Sequence, residues 1–367
     1  MASRDGNGWV YCARGHRHWG KYGAAGLLAY AGQPGQRGAE QVLLQHRAGW
    51  SHHGGTWGLP GGAADSHEAP VAAALREAAE ETGVAPEAVV VRGIYTDDHG
   101  GWAYRTVLAS AQAPFPAFAA SDETDAVAWV AASQAAGRPL HPGLALHWAE
   151  LRAALEPLVV IVDAANVVGS RPDGWWRDRA GAARRLVTGL GTLAGQGVTD
   201  IPAGLGLPEP ARWFPEFVVV LEGQARAAAG AAAGPGDTAL DRTTARTAVA
   251  DPDDIADPGD TAEPPGASGG SGGSGVTGAY GEPGASGMSE RPGRPDVPGA
   301  SGIVDGPVRV VSADGSGDDT IARLAAAEPG RLLVVTADRE LRARCEAAGA
   351  QVTGPRWLTE RLDAAPR

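Results

Sequence analysis

An α/β sandwich followed by a parallel α/β sheet that carries a long disordered insertion is the fold class this sequence predicts. Three observations predict it. A helix-forming stretch, Ser66–Thr82, lies between short strand-like runs on both sides. Beyond Pro157, short continuous apolar runs alternate with helical patterns, as in parallel strands buried on both faces. From about Ala227 to Gly306, apolar periodicity gives way to Gly, Ala, Pro, Ser, Asp and Thr. At 367 residues and roughly 150 per domain, there is room for two domains. They fall at 20–155 and at 157–226 with 307–367, with 1–19 a lead-in and 227–306 an insertion within the second. Loop-closure cost grows only logarithmically with length, so such an insertion is tolerable.

The net charge of -12 argues against a general nucleic-acid-binding surface, though a local basic patch remains open. The two cysteines, Cys12 and Cys345, lie at opposite ends, against a disulfide framework and for a reducing compartment. No apolar run approaches the roughly 18 residues of a membrane span, and the N-terminus lacks an apolar signal core. The expectation is a cytoplasmic protein. High Ala, Gly and Arg with little Lys is the composition of a GC-rich bacterial genome.

The lead-in holds Cys12, His16 and His18 as C-x3-H-x-H. A zinc site needs about four ligands, and no second ligand pair with suitable spacing follows. The segment therefore reads as a packed approach to the first strand. Tyr22–Tyr30 and Gln41–His46 read as strands joined by the Gly- and Pro-rich turn Ala31–Ala39. His52 and His53 follow, either as contacts to a phosphorylated substrate or as polar loop surface. Ala88–Thr96, Trp102–Ser110 and Asp125–Val130 are further strands, and Leu144–Leu155 is a closing helix.

The helix between these strands carries the chemistry. Asp65 and Glu68 are spaced as a capping box, Pro70 suits a first turn, and Gly83 is a stop. Val71, Leu75 and Ala78 fall at i, i+4 and i+7 as an apolar stripe. Glu77, Glu80 and Glu81 fall at i, i+3 and i+4 and share another face. Three crowded carboxylates need an offsetting charge, for which Mg²⁺ or Mn²⁺ is the natural partner. A merely solvated acidic face would need no Gly or Arg at fixed offsets. Here Gly62, Glu68, Arg76, Glu77, Glu80, Glu81 and Gly83 fill every fixed position of G-x5-E-x7-R-E-U-x-E-E-x-G-U, with Ala78 and Val84 at the U positions. This resembles the Nudix box, and Trp57–Gly61 is similar to that family's usual approach to it.

The resemblance covers about residues 20–155. It implies an α/β/α sandwich that hydrolyses a pyrophosphate bond in a nucleoside diphosphate derivative. It also implies a divalent ion held by Glu77, Glu80 and Glu81 with a backbone carbonyl near Gly61. Glu80 or Glu81 would help activate water, and Glu68 and Arg76 would brace loop and helix. Glu123 matches a late acidic position near the metals, so Glu80, Glu81, Arg76 and Glu123 form the expected catalytic set.

In the second half, Leu158–Val162, Phe217–Leu221, Val308–Ser312 and Leu332–Thr336 read as buried strands, with Gln351–Thr353 a short fifth. A helix is expected over about Trp176–Leu190. Ligands of parallel sheets gather beyond the strands' carboxyl ends. Asp163, Glu222, Asp318, Asp319 and Asp338 all lie there, as candidate metal ligands or as helix N-caps. V-D-A-A-N at Val162–Asn166, D-D-T-I at Asp318–Ile321 and V-T-A-D-R-E-L at Val335–Leu341 resemble the NYN and PIN-like nucleases. That likeness implies Asp163, Asp318 and Asp338 as ligands, with Asn166 in support. Arg171, Trp175, Trp176, Arg177 and Arg179 either hold single-stranded RNA by charge and stacking or anchor a helix to the sheet. The alternative for the whole chain is a nucleotide-sensing first domain that regulates a non-catalytic RNA-binding second domain.

Overall fold

In the computed structural model the described residues are 4–32, 39–209, 211–231, 300–301 and 307–365. The lead-in forms an antiparallel hairpin, β1 (Trp9–Tyr11) with β2 (Arg17–Trp19). Then come β3 (Ala24–Ala31), β4 (Gln41–Arg47), β5 (Trp57–Gly58), β6 (Gly61–Ala63) and α1 (Pro70–Thr82). After them follow β7 (Val90–Asp98), β8 (Ala103–Ala111), β9 (Thr124–Ala131), α2 (Ala132–Ala135) and α3 (Pro142–Ala153). β3 is central, parallel to β8 and antiparallel to β4 and β6.

Period-two alternation divides this sheet between two cores. Leu27, Ala29, Leu43 and Val107 face Val71, Ala74, Leu75 and Ala78 of α1. Leu28, Tyr30, Leu44 and Leu108 face Leu144, Trp148 and Leu151 of α3. A helix on each side makes the expected sandwich.

The second half contributes β10 (Leu158–Asp163), α4 (Ala164–Gly169), α5 (Arg179–Gln196), β11 (Ala211–Trp213), β12 (Glu216–Leu221) and β13 (Ala300–Ser301). Next come β14 (Val308–Ala313), α6 (Gly317–Ala327), β15 (Arg331–Val335), α7 (Arg339–Ala347), β16 (Gln351–Thr353) and α8 (Pro355–Ala364). The parallel strands run in the order β14-β12-β10-β15-β16, with β13 antiparallel at the edge. The order reverses at β10, so the carboxyl ends of β10 and β15 border a switch-point crevice.

The described residues depart from the sequence reading at several element ends. α1 begins at Pro70 with Ala69 as an uncapped N-cap, not at Ser66. Half of the expected capping box forms: Glu68 Oε2 accepts from Asp65 N at 3.0 Å, while the Asp65 side chain accepts from Gly6 N and not from the helix. The lead-in is a paired hairpin and not only a packed approach. The helix expected from Trp176 starts at Arg179, because Asp178 accepts from Gly181 N and caps it there. The expected disordered insertion lies outside the described residues except at its ends. There 227–231 belong to the 3-10 helix Gly223–Ala231, and 300–301 pair with β14.

The largest difference concerns the boundary between the halves. β11, expected in the second domain, pairs antiparallel with β7 and extends the first sheet. Leu158, Val160, Val162, Phe217 and Val219 share one apolar core with Leu28, Tyr30, Leu44 and Trp148. Arg92 on β7 pairs with Glu216 on β12 at 2.7 Å. No helix among the described residues is long and apolar enough to cross a membrane.

Candidate active site

Arg76 organises the site. Its Nε and Nη2 donate to the two Glu68 oxygens at 2.8 Å each, a bidentate clamp. Its Nη1 donates to Glu77 Oε1 at 2.7 Å and its Nη2 to the Ala63 carbonyl at 3.0 Å. One guanidinium thus ties the loop to the helix. Burial pushes the Glu68 carboxyl up, but the Arg76 hydrogen bonds and charge together with the Asp65 N–H outweigh it and hold it below the ordinary range. A Cβ at Gly62 would stand 2.6 Å from Glu77 Oε2, so a side chain there would displace that carboxylate from Arg76. Gly83 ends α1 in the left-handed region at φ 66°.

The three glutamates have different surroundings. Glu80 is 40 % exposed and accepts from Arg4 at 2.9 Å, with Arg76 at 4.0 Å. Glu77 is half-buried, and burial raises its pKa despite Arg76. Glu81 is buried, and its Oε2 accepts from Gly61 N at 2.7 Å and Gln45 Nε2 at 3.0 Å. Burial lifts this carboxyl to about 7, and the charge of Glu77 adds to the rise.

Gln45, Thr124, Arg47 and His141 were missed in the sequence. Gln45 links Glu81 to Thr124, whose Oγ1 donates to Gln45 Oε1 at 3.0 Å. That relay places the exposed Glu123, next to Thr124, beside the entry to β9. Arg47 lies close enough to act on both Glu81 and His141. The Tyr104 hydroxyl occupies the space a Gly26 Cβ would fill, and the charges of Glu81 and Glu77 reach it. Period two on β4 and β8 gave each a face but no neighbour.

His52 and His53 are joined by His141, with ring centroids 4.0 and 4.8 Å apart along the series. Burial, then the neighbouring positive groups, lowers His52 and takes His141 to about 4.

At the second crevice, Asp163 is buried. It accepts from Asn166 N and Nδ2 at 3.0 and 2.6 Å and from Thr336 Oγ1 at 2.8 Å. Asp163 caps α4 and Asp338 caps α7, so the N-cap reading holds for both. Burial, then the charges of Asp163, Asp338 and Glu222, raises Asp318, so those three acids lie within electrostatic reach of it. Asp319 stands apart in an exposed pair with Arg344 at 2.7 Å. Trp175, Arg179 and Glu222 line a cleft of about 400 Å³ beside them, while Trp176 is exposed.

The family that matches is the NUDIX domain, over residues 24–150. A "Putative 8-oxo-dGTP diphosphatase 3" of Mycobacterium tuberculosis is 47 % identical over 156 residues, spanning 41 % of this chain and 70 % of the relative. A "Nucleoside triphosphate pyrophosphatase/Nudix hydrolase fusion protein" of Bifidobacterium longum is 41 % identical over 157 residues, spanning 42 % of this chain and 33 % of that one. The crystal structure of a Nudix hydrolase from M. smegmatis, RenU, is 48 % identical and covers 40 % of this chain and 93 % of its own, with a TM-score of 0.37. With the box clamped by Arg76 and a 47 % identical relative matched over 70 % of its length, the chain belongs to the Nudix hydrolase family.

Proposed function

We propose that the first domain, residues 20–155, hydrolyses a pyrophosphate bond in a nucleoside diphosphate derivative with Mg²⁺ or Mn²⁺. The observation that carries this is the assembled box, with Arg76 clamping Glu68 at 2.8 Å and Glu77 at 2.7 Å, and with Glu81 held on Gly61 N at 2.7 Å. The donor set fits a hard divalent ion, because Glu77, Glu80, Glu81 and the Gly61 carbonyl offer only oxygen. Such an ion, when bound, would neutralise diphosphate charge and lower the pKa of a water. Glu80 or Glu81 would accept that water's proton, Arg76 and Glu68 would hold loop to helix, and Glu123 would lend a further carboxylate. Arg47 and the trio His52, His53 and His141 offer donors to phosphate oxygens. The name of the mycobacterial relative makes oxidised guanine nucleotides the first class to try. The test is a nucleotide panel with and without Mg²⁺, scoring phosphate and pyrophosphate release. Expected is metal-dependent release from at least one nucleotide; no release from any, with Mg²⁺ or Mn²⁺, refutes the proposal.

For the second domain, residues 157–226 and 307–367, we propose an NYN/PIN-like metal-dependent ribonuclease. The electrostatic reach of Asp163, Asp338 and Glu222 to Asp318 supports it, with Asn166 bracing Asp163. Asp319 is left to Arg344. Asp163→Asn should abolish RNA cleavage and leave nucleotide hydrolysis intact, since Asn also serves as an N-cap. If the unmutated chain binds RNA without cutting it, the reading becomes a nucleotide-sensing Nudix domain that regulates an RNA-binding one.

A further inference from the structure

The C-x3-H-x-H segment lacks a fourth ligand in sequence, and the fold supplies one. Cys12, His16, His18 and His99 place one ligand atom each within 4.8 Å of all the others. We propose that these four residues form a closed structural zinc site that fastens the N-terminal hairpin to the β7–β8 turn.

The backbone builds the cluster from both sides. Cys12 N donates to His16 O at 3.0 Å and Gly15 N to Cys12 O at 2.9 Å, a tight turn that sets Cys12 beside His16. Gly15 sits at φ 80°, where a side chain would be strained. Ala13 N donates to Gly100 O at 2.8 Å, bringing the turn with His99 against the hairpin. His18 is stacked on Trp102 at 3.9 Å and 11°, which fixes its ring.

The ring nitrogens indicate a ligand. His99 Nε2 faces Asp97 Oδ2 at 3.0 Å, and His147 Nε2 lies 3.1 Å from the same oxygen. That leaves His99 Nδ1 as the free donor, and it is buried without a hydrogen-bond partner. His18 Nε2 is also buried and unpartnered. Two orphaned imidazole nitrogens in one cluster are costly unless something binds them. A carboxylate behind the outer nitrogen of a ligating histidine is the usual support of a metal site.

The donors select the metal. One thiolate with three imidazoles suits zinc and offers nothing to Mg²⁺ or Ca²⁺. Tetrahedral ligands at Zn–N and Zn–S bond lengths stand about 3.5 Å apart, so closure needs side-chain shifts of only about an ångström. Four protein ligands leave no open position, hence a structural site. The hairpin continues back to the box loop, where Gly6 N donates to Asp65 Oδ1 and Ser66 N to Asp5 Oδ1, both at 2.9 Å. Zinc would hold that strap in place, independently of the hydrolase reading.

The test uses the untagged full chain. Elemental analysis should find one zinc per chain, and Cys12→Ser and His99→Ala should each lose it. Cobalt exchanged into the unmutated chain should show tetrahedral ligand-field bands and a thiolate charge-transfer band, the latter absent in Cys12→Ser. Chelation of zinc should speed proteolysis before Ala24. Substoichiometric zinc, full zinc in both variants, copper in its place or an octahedral cobalt spectrum would each overturn the assignment. If the variants fail to fold, the cobalt spectrum of the unmutated chain decides alone.

Discussion

Glu81→Gln should lower metal-dependent nucleotide hydrolysis by about 10²–10⁴-fold, the span expected when a positioned acid–base group is removed, and leave the fold intact. The amide keeps the shape of the acid, and its carbonyl can still accept from Gly61 N and Gln45 Nε2. The stability effect runs the other way. In the folded chain Glu81 is raised from 4.5 to about 7, with burial the main cause. A raised acid adds stability below its unfolded pKa and loses it as pH climbs to the folded value. With chelator present, the parent should therefore weaken between about pH 4.5 and 7, by up to a few kcal/mol. The variant should show a shallower decline and melt at or above the parent at pH 8. Turnover and thermal melts on the same preparations check both, and unchanged turnover would remove Glu81 from the mechanism.

Trp213→Ala should destabilise the chain by about 3–5 kcal/mol, as for other buried aromatics cut to Ala. The loss should be felt in both halves. Trp213 is 2 % exposed, and its ring fills the space beside Gly93, where a Cβ would meet it at 2.7 Å. Its backbone N–H and C=O exchange hydrogen bonds with Val198 at 2.8 and 2.7 Å. β11 is thus held to β7 on one side and to the second half on the other. Calorimetry should show one cooperative transition in the parent, moved down as a whole in the variant. A chain ended after Glu156 would lose β11 and much of the shared core, and it should aggregate or melt far lower. Two well-separated transitions, or a truncated chain with unchanged kinetics and stability, would show that the halves fold independently.

These expectations trace what could be seen before the fold. The box was legible because its residues lie on one helix and its loop, where spacing alone brings Glu77, Glu80 and Glu81 to one face. The alternating strands were legible for the same reason, since period two and buried apolar runs are properties of consecutive residues. The start of α1 was not, because Glu68 closes its half of the box on Asp65 N while the Asp65 side chain turns to Gly6, far away in the chain, and the helix begins only at Pro70. Gln45 and Arg47 could not be picked out, since each works through partners on other elements, Glu81 of α1 among them. Asp319 had the same spacing credentials as Asp318, and only Arg344 on a neighbouring helix separates them.

The sequence by itself determined the Nudix box, the class of both halves and the acids at the strand ends, because each is written in neighbouring residues. Tertiary structure alone decided that β11 crosses to the first sheet, that one apolar core serves both halves, and that His99 joins Cys12, His16 and His18. Each of those is a contact between residues far apart in the chain. Its energy comes from burial and geometry that no local period encodes.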